Sequence, residues 1–538
     1  MQKIAIVSYG GVFPEAKNPN DFFKNLIDGV QSIHDFTKPP PIQNFKSRLK
    51  LFMAEKESPD YKSTANRSYS FMGAFLNREW LDEYSKKFNL DKATQTSTEL
   101  FALEAAFQTI EPVKNRINFA KTDVILGCTS VDNECIDRLK ENVLERVGMD
   151  KNGSEYKNIL SQIFNINVPK EKFGLATSLL KNIVTKYNIG GHSFLIDAAC
   201  ASSFASLNTA QERLRQNQAD FVLWGGVDVN LSPFLLSMFS KLGVLNEERM
   251  NPFDMRSKGM NPGEAVAMFM LCRLETAIEK KFEILGVIEN CQGSSDGLKG
   301  SPTEPTIEGQ VLAYSRTNKY NKEKIPKVDY IEAHGTGTII GDRVEIGSLQ
   351  KFYGEANKGV PVGSVKANIG HTIAAAGSVS VIKCLKIIES RKIPPNKRFE
   401  KYPHYIQTDF FINKEIIELD PEKKLNFTIS SFGFGGTNFH LHLSQFNPEV
   451  HVQKNPTEID LNHDQNVYLN AELEVSFEQL NALLAKTKYR IPPKTIANYD
   501  STVLLAFLVL EELLLVNHIH ISSEDRKEIH CLSTEVCL

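Results

Sequence analysis

The sequence has no large excess of charge of either sign and no closely paired cysteines. The chain has 538 residues and a formal net charge of -3 at pH 7. Binding to nucleic acid needs a basic stripe or patch, so we expect no nucleic-acid partner. The eight cysteines contain no C-x-x-C pair, and this distribution favours reduced thiols in a cytoplasm over disulfides or structural zinc.

Long apolar runs are also missing. The longest, residues 503–516, contains Glu511 and Glu512 and is too short to span a bilayer, so we expect no membrane partner. The first residues predict a strand rather than a signal peptide, which favours a cytoplasmic protein. The glycine turn after that strand lacks the G-x-G-x-x-G spacing, and a Rossmann nucleotide site is therefore disfavoured.

What the sequence does contain is a long alternation of strand and helix patterns. Strands are predicted at residues 3–8, 123–127, 220–227, 265–272, 285–290, 328–331, 362–365 and 427–430. Helices between them are predicted at residues 98–110, 177–187, 275–280, 306–316, 344–352 and 373–389. This pattern indicates an α/β fold made of two similar halves. We place the halves at residues 1–255 and 256–446, followed by a linker and C-terminal helical extension at 447–538.

Cys200 lies where a predicted strand turns sharply into a predicted helix. The strand begins at Phe194 and leads into Asp197-Ala198-Ala199-Cys200-Ala201-Ser202-Ser203, whose side chains are small enough for a tight turn. Apolar residues then recur at the spacing of a helix: Phe204, Leu207 and Leu214. A helix N-terminus stabilises a thiolate, so the pattern predicts a nucleophile with a lowered pKa. The alternative is a small buried core cysteine.

Three further loops follow predicted strands. They are Glu332-Ala333-His334-Gly335-Thr336-Gly337-Thr338, Ser364-Val365-Lys366-Ala367-Asn368-Ile369-Gly370-His371 and Ser430-Ser431-Phe432-Gly433-Phe434-Gly435-Gly436-Thr437-Asn438. A histidine just past a buried strand is placed to donate a hydrogen bond or exchange a proton in a sheltered pocket. The glycines of the third loop permit positive φ, which suits a backbone N–H directed at an oxyanion. Taken singly, each feature has a structural alternative, a buried imidazole or a tight connector.

A metal site is a weaker interpretation of the same residues. Cys200, His334 and His371 include no carboxylate ligand and no two ligands that are close in sequence.

Together, these four motifs resemble the β-ketoacyl synthase (ketosynthase) family of the thiolase-like superfamily. They occur in the order and rough spacing of that family, and the resemblance covers about residues 1–445. The branch it is most similar to is that of iterative polyketide and polyunsaturated-fatty-acid synthases, to judge from Asp197-Ala198-Ala199-Cys200 and Pro252-Phe253-Asp254. Asn261 and Pro262 depart from the family pattern.

The resemblance implies a five-layered αβαβα fold and a decarboxylative Claisen condensation in fatty-acid or polyketide biosynthesis. Cys200 would form the acyl-enzyme, and His334 and His371 would hold the malonyl thioester carbonyl. The backbone N–H groups of Cys200 and Phe434 would form an oxyanion hole, with Phe434 also gating the acyl channel. Supporting roles fall to Lys366, expected to pair with Glu345, and to Thr336 and Thr338.

The partners implied by the resemblance are an acyl carrier protein, which carries the acyl and malonyl thioesters on phosphopantetheine, and a second ketosynthase subunit. That second protein is either another copy of the chain or a chain-length-factor-like protein. No cofactor and no metal are expected.

Two rival classes share parts of the pattern. A thiolase-type acyl-CoA acyltransferase uses a nucleophilic cysteine but typically a second cysteine as acid/base, where this chain offers histidines. A chain-length-factor-like partner lacks the nucleophile. Residues 447–538 contain no predicted catalytic residue, and a weak internal similarity to the start of the chain suggests a truncated second ketosynthase-like unit as one interpretation.

Overall fold

The computed structural model describes residues 2–36, 68–91, 95–129, 178–229, 233–297, 304–318 and 325–451. The chain divides into two compact units, Met1–Asn447 and Pro448–Leu538. The predicted C-terminal extension lies outside the described residues beyond residue 451.

Strands and helices alternate along the described residues as the pattern predicts. The strands are β1 (Ile4–Val12), β2 (His34–Asp35), β3 (Met72–Gly73), β4 (Thr122–Cys128), β5 (Ser193–Ile196), β6 (Phe221–Asp228), β7 (Ala265–Arg273), β8 (Gly286–Ser295), β9 (Tyr330–Glu332), β10 (Val362–Gly363), β11 (Lys392–Ile393), β12 (Ile417–Glu418), β13 (Asn426–Phe432) and β14 (Thr437–Ser444). The helices are α1 (Pro19–Asp28), α2 (Trp80–Phe88), α3 (Ser97–Ile110), α4 (Ser178–Tyr187), α5 (Ser202–Arg215), α6 (Pro233–Lys241), α7 (Leu274–Glu279), α8 (Ile307–Asn318), α9 (Ile339–Tyr353), α10 (Lys366–Ile369), α11 (Ala376–Ser390) and α12 (Pro448–His451).

Local signals in the sequence set several helix ends. Thr96 caps α3 through a capping box, in which its side chain accepts the Glu99 N–H and the Glu99 side chain accepts the Thr96 N–H. Asn18 accepts two backbone N–H groups at the start of α1, which ends at Gly29 in the left-handed conformation.

The central sheet repeats one five-stranded pattern twice. Its order is β5-β4-β6-β7-β1 followed by β8-β14-β13-β9-β10, and β1 joins β8 only through Ile4, Ala5 and Ile6. In each half the outer strands pair in parallel and the inner ones antiparallel. The repeat makes β5, which precedes Cys200, the counterpart of β10, which precedes His371. Strands β5 and β10 run in opposite directions along the sheet, because β1 and β8, which join the halves, are antiparallel. The two loops meet because the half-sheets face each other, and Cys200 and Ile373 share one apolar cluster.

The two half-sheets enclose α5 and α11 and carry further helices on their outer faces. Side chains along β6 alternate, with Val222 and Trp224 in the core that includes α5 and α11, and Leu223 in the outer core with α3 and α4. A third core packs α8 and α9 against β9 and β10. Five layers result, which accounts for the continuous apolar runs, because strands covered on both faces bury every side chain.

Two sequence predictions need correction. The division between halves at residue 255 is too early, because β7 pairs between β6 and β1 and so belongs to the first half. In addition, β14 was not predicted. Its apolar Phe439, Leu441 and Leu443 alternate with His440 and His442, which is the period of two that indicates a strand, so the sequence did contain the signal for β14.

Candidate active site

Cys200 sits on a strained elbow between β5 and α5. The preceding residue, Ala199, has φ of 51°, a conformation that costs an L-residue roughly 1–3 kcal/mol. The Asp197 carboxylate accepts the Ala199 N–H at 2.9 Å, and the Ser202 hydroxyl donates to the Ala199 carbonyl at 2.6 Å. These bonds hold the sharp turn that the small-residue motif predicts.

The electrostatic prediction for Cys200 is wrong. Its thiol is only 4% exposed, and α5 begins two residues later at Ser202. Burial raises the pKa of the Cys200 thiol to about 12, outweighing the Lys366 charge, which lowers it. The side chain packs among apolar residues that include Phe239 and Phe434. Desolvation disfavours the thiolate more than the helix N-terminus favours it, so the resting nucleophile is a thiol.

The Phe432-to-Asn438 loop covers the thiol. The backbone N–H of Phe434 donates toward Cys200 and lowers the pKa of the thiol. Gly433 lies against the elbow, where an added Cβ would be 2.4 Å from the Ala198 carbonyl oxygen. The Ser431 hydroxyl donates to the Cys200 carbonyl at 2.8 Å. The loop therefore offers the Cys200 thiol one backbone donor, the Phe434 N–H. Residue 433 must be glycine because the loop backbone lies too close to Ala198 for a side chain.

His334 follows β9, and its orientation is fixed from two sides. The Glu345 carboxylate accepts the backbone N–H groups of His334 and Gly335, each at 2.7 Å. The ring Nδ1 accepts the Phe432 N–H at 3.3 Å. Because Nδ1 is an acceptor, the ring proton is assigned to Nε2.

His371 has the same tautomer for the same reason. Its Nδ1 accepts the Ile373 N–H at 3.2 Å, so Nε2 carries the proton. Nε2 is buried and finds no hydrogen-bond partner among the described residues. The rings of His334 and His371 lie edge to face with centroids 5.3 Å apart. A buried donor without a partner is costly, and at such a site it points to a ligand that completes the bond.

Both imidazoles are neutral at physiological pH. Burial is the largest effect and holds the pKa of His334 and of His371 well below its usual value. The Lys366 charge lowers both pKa values further. The pair is thereby kept as two hydrogen-bond donors rather than as cations.

Lys366 is buried, with 1% exposure, but does not form the expected ion pair with Glu345. Glu345 is already engaged with the His334 loop backbone, and within the described ranges no ion pair joins the two residues. Burial lowers the pKa of Lys366, while the charges of Glu332 and Glu345 raise it. Thr336 and Thr338 lie on the same loop with their hydroxyls 3.1 Å apart, and both are partly exposed.

Two supporting residues were not recognised in the sequence. Asn261, which departs from the family pattern, accepts the His371 N–H on its carbonyl oxygen at 2.7 Å, and its side chain bonds Asn246 and Met250. Asp342 accepts the N–H groups of Phe253 at 2.6 Å and Gly337 at 3.0 Å. The bond to His371 comes from the backbone of Asn261, so the departure from the family pattern affects only the side-chain bonds to Asn246 and Met250.

A metal centre is not built into this part of the chain. Among the residues that the structure describes, no group of three or more histidine, cysteine, aspartate or glutamate side chains is placed to hold a metal ion.

The fold, together with one cysteine and two histidines in the site, is typical of the thiolase-like condensing enzymes. Comparison with known proteins then identifies the family. The model "Beta-ketoacyl synthase, N-terminal domain" matches residues 1–277, and "Beta-ketoacyl synthase, C-terminal domain" matches residues 285–400. The chain therefore belongs to the β-ketoacyl synthase family, as the motifs indicate.

Similar curated proteins include much longer synthases. The chain is 26% identical to "Probable polyketide synthase 1" of Dictyostelium discoideum over 82% of its own length, but spans 14% of that protein. It is 29% identical to a polyunsaturated fatty acid synthase component of Thraustochytrium sp. over 83% of its length, spanning 16% of that protein.

Solved structures confirm the thiolase-like fold. The ketosynthase from module 6 of the bacillaene synthase from Bacillus subtilis 168 has a TM-score of 0.67 at 23% identity, covering 83% of this chain and 72% of that one. The oxazolomycin ketosynthase domain OzmH KS7 of Streptomyces albus JA3453 also has a TM-score of 0.67, at 21% identity, with 83% and 75% coverage.

Proposed function

We propose that the chain is a β-ketoacyl-[acyl carrier protein] synthase that condenses an acyl thioester with a malonyl thioester in fatty-acid or polyketide biosynthesis. One observation carries the proposal. Two neutral imidazoles, His334 and His371, use Nδ1 to accept backbone N–H groups, which leaves both Nε2–H groups as donors, and a cysteine thiol lies under a backbone N–H nearby.

The first half-reaction loads Cys200. The sulfur attacks the carbonyl carbon of an acyl thioester and loses its proton, and the Phe434 N–H stabilises the oxyanion that forms. The carbon–sulfur bond to the carrier then breaks, and the carrier thiolate leaves and takes up a proton. Because the resting thiol has a raised pKa, proton loss accompanies substrate binding rather than preceding it.

The second half-reaction uses the histidine pair. The malonyl thioester carbonyl accepts hydrogen bonds from the two Nε2–H groups, and the bond to its carboxylate breaks to release carbon dioxide. The electron pair of that bond forms an enolate, whose negative oxygen the two donors stabilise. The carbon of the enolate then attacks the acyl-Cys200 carbonyl, and the cysteine sulfur leaves. Donors that stay neutral suit this step, because they gain strength only as charge develops.

The proposed partners are an acyl carrier protein and a second ketosynthase subunit. Strand β5 lies at an edge of the sheet of the described residues, and all its residues from Ser193 to Ile196 are half-buried. An apolar edge strand of this kind favours pairing with another chain. Both the homodimer and the heterodimer with a chain-length-factor-like protein would use this edge. No helix in the described part of the chain is long and apolar enough to cross a membrane.

The test is to incubate the protein with acyl and malonyl carrier proteins and measure intact and peptide masses. An acyl adduct on Cys200 and a chain-extended product with loss of carbon dioxide are expected. Transfer of acyl groups between thioesters without decarboxylation would instead indicate a thiolase-type acyltransferase, and no adduct at all would indicate a chain-length-factor-like protein.

A further inference from the structure

A buried triad of charged and polar side chains lies behind the histidine loops and is not used by the chemistry above. Lys383, on α11, donates to the Glu332 carboxylate at 2.7 Å and to the Tyr330 hydroxyl at 2.6 Å. The Tyr330 hydroxyl in turn donates to Glu332 at 2.7 Å. The side chains of Lys383 and Glu332 are 6% and 0% exposed. Such an enclosed pair contributes little net stability, which makes another role the better explanation.

Glu332 connects the two catalytic loops. It is the last residue of β9, two positions before His334. The oxygen that does not contact Lys383 accepts the backbone N–H of Val365 at 2.7 Å. Val365 begins the segment that runs through Lys366 to His371. One carboxylate thus bonds the start of the second loop while its own backbone leads into the first.

Lys383 holds that carboxylate in its bridging orientation and also acts on Lys366. Lys383 and the Tyr330 hydroxyl both donate to one oxygen of Glu332, which leaves the other directed at Val365. The Lys383 charge lowers the pKa of Lys366, whereas the charge of Glu332 raises it. The two charges therefore oppose each other at Lys366. Neither side chain has a hydrogen bond to Cys200 or to either imidazole ring among the bonds of the described residues.

We propose that Glu332 and Lys383 form a positioning pair that fixes the separation of the His334 and His371 loops for the decarboxylation half-reaction. The inference rests on the condensing activity proposed above. It assigns the pair to the geometry of the malonyl site, since the bonds reach both histidine loops and not the Cys200 elbow.

Lys383→Met is the main test, with Lys392→Met as the matched control. Lys392 pairs with Glu418 on the surface, with side-chain exposures of 44% and 66%. In Lys383→Met, kcat for malonyl-thioester decarboxylation should fall about tenfold or more, with KM and the rate of Cys200 acylation changed less than about threefold, because misplaced donors weaken transition-state binding. The control should match the parent protein in all three.

A double variant separates positioning from mere structural support. In Lys383→Met with Glu332→Gln, neither member of the pair is left as an uncompensated charge, and the amide oxygen still accepts the Val365 N–H. Decarboxylation should recover to within about threefold of the parent. Tyr330→Phe removes the two bonds of the Tyr330 hydroxyl but keeps the bond between Lys383 and Glu332, so it should give a smaller loss. It replaces Lys383→Met as the test if that variant does not fold.

Two results would overturn the inference. One is a folded Lys383→Met protein that decarboxylates at the parent rate. The other is an equal loss of acylation and decarboxylation that the double variant does not restore. A parent protein that acylates Cys200 but releases no carbon dioxide would instead contradict the proposed function, and the positioning role with it.

Discussion

Replacing His371 by alanine tests the central feature of the proposed malonyl site. The substitution removes the Nε2–H donor that has no partner among the described residues. Losing one preorganised oxyanion donor costs about 2.7–4 kcal/mol, so decarboxylation should slow by about 10² to 10³ fold. His334 remains, and the Cys200 elbow does not depend on the lost side chain. Acylation of Cys200 should therefore persist at a rate much closer to that of the parent.

The assay measures carbon dioxide released from malonyl carrier protein and, separately, the mass of acylated Cys200. His334→Ala should behave in the same way. His404→Ala, an exposed histidine outside the site, is the control and should leave both rates unchanged. Acylation that collapses in His371→Ala while decarboxylation is untouched would show that the roles of the two half-reactions have been assigned the wrong way round.

The pH profile gives an independent check on the imidazoles. The pKa of each ring is lowered well below its usual value by burial, so each stays unprotonated as the pH falls through the ordinary histidine range. Decarboxylation should consequently remain nearly constant from about pH 7.5 to about pH 6. A loss of rate centred near the usual histidine pKa would contradict the neutral-donor assignment.

Three further outcomes are expected. Alkylation of Cys200 by iodoacetamide should be slow at neutral pH and accelerate as the pH rises, because burial raises the pKa of the thiol to about 12. Lys366→Met should slow the alkylation further, since the lysine charge lowers that pKa. Gly433→Ala should reduce Cys200 acylation by about tenfold or more, because the new Cβ would clash with the Ala198 carbonyl. The control Gly347→Ala should leave acylation unchanged, because its new Cβ contacts only the flexible Ile307 side chain. A chain ending near residue 448 should fold and acylate Cys200, since Met1–Asn447 forms one compact unit; failure to fold would show that later residues complete the core.

The sequence predicts the scaffold of the site well because its signals are local. Small residues around Cys200 permit the elbow, and the glycines beside His334 and His371 permit the loops that the structure contains. Strand and helix patterns are read from neighbouring residues, so most elements are found within a few positions. β14 is the exception, although its apolar residues alternate with His440 and His442 in the period of two that indicates a strand.

What the sequence does not predict depends on contacts between distant residues. The pKa of Cys200 is governed by burial, which overrides the local helix effect. Glu345 bonds the His334 loop backbone rather than Lys366, and Glu332 pairs with Lys383, which is far away in sequence. Asn261 supports His371 from another segment. The sequence allows many different pairings between these acidic residues and lysines. Which pairs form is determined by the tertiary structure.

The role of Cys200 is tested most sharply by Cys200→Ala, with Cys128→Ala, a substitution of another buried cysteine, as control. Both proteins receive acyl and malonyl carrier proteins, and adducts, carbon dioxide and extended product are quantified together. We expect Cys200→Ala to form no acyl adduct and no extended product but still to release carbon dioxide. The Cys128→Ala control should form the adduct, release carbon dioxide and make the extended product. A chain-extended product from Cys200→Ala would contradict the nucleophile assignment, and loss of carbon dioxide release from the folded variant would contradict the separate role of the histidine pair.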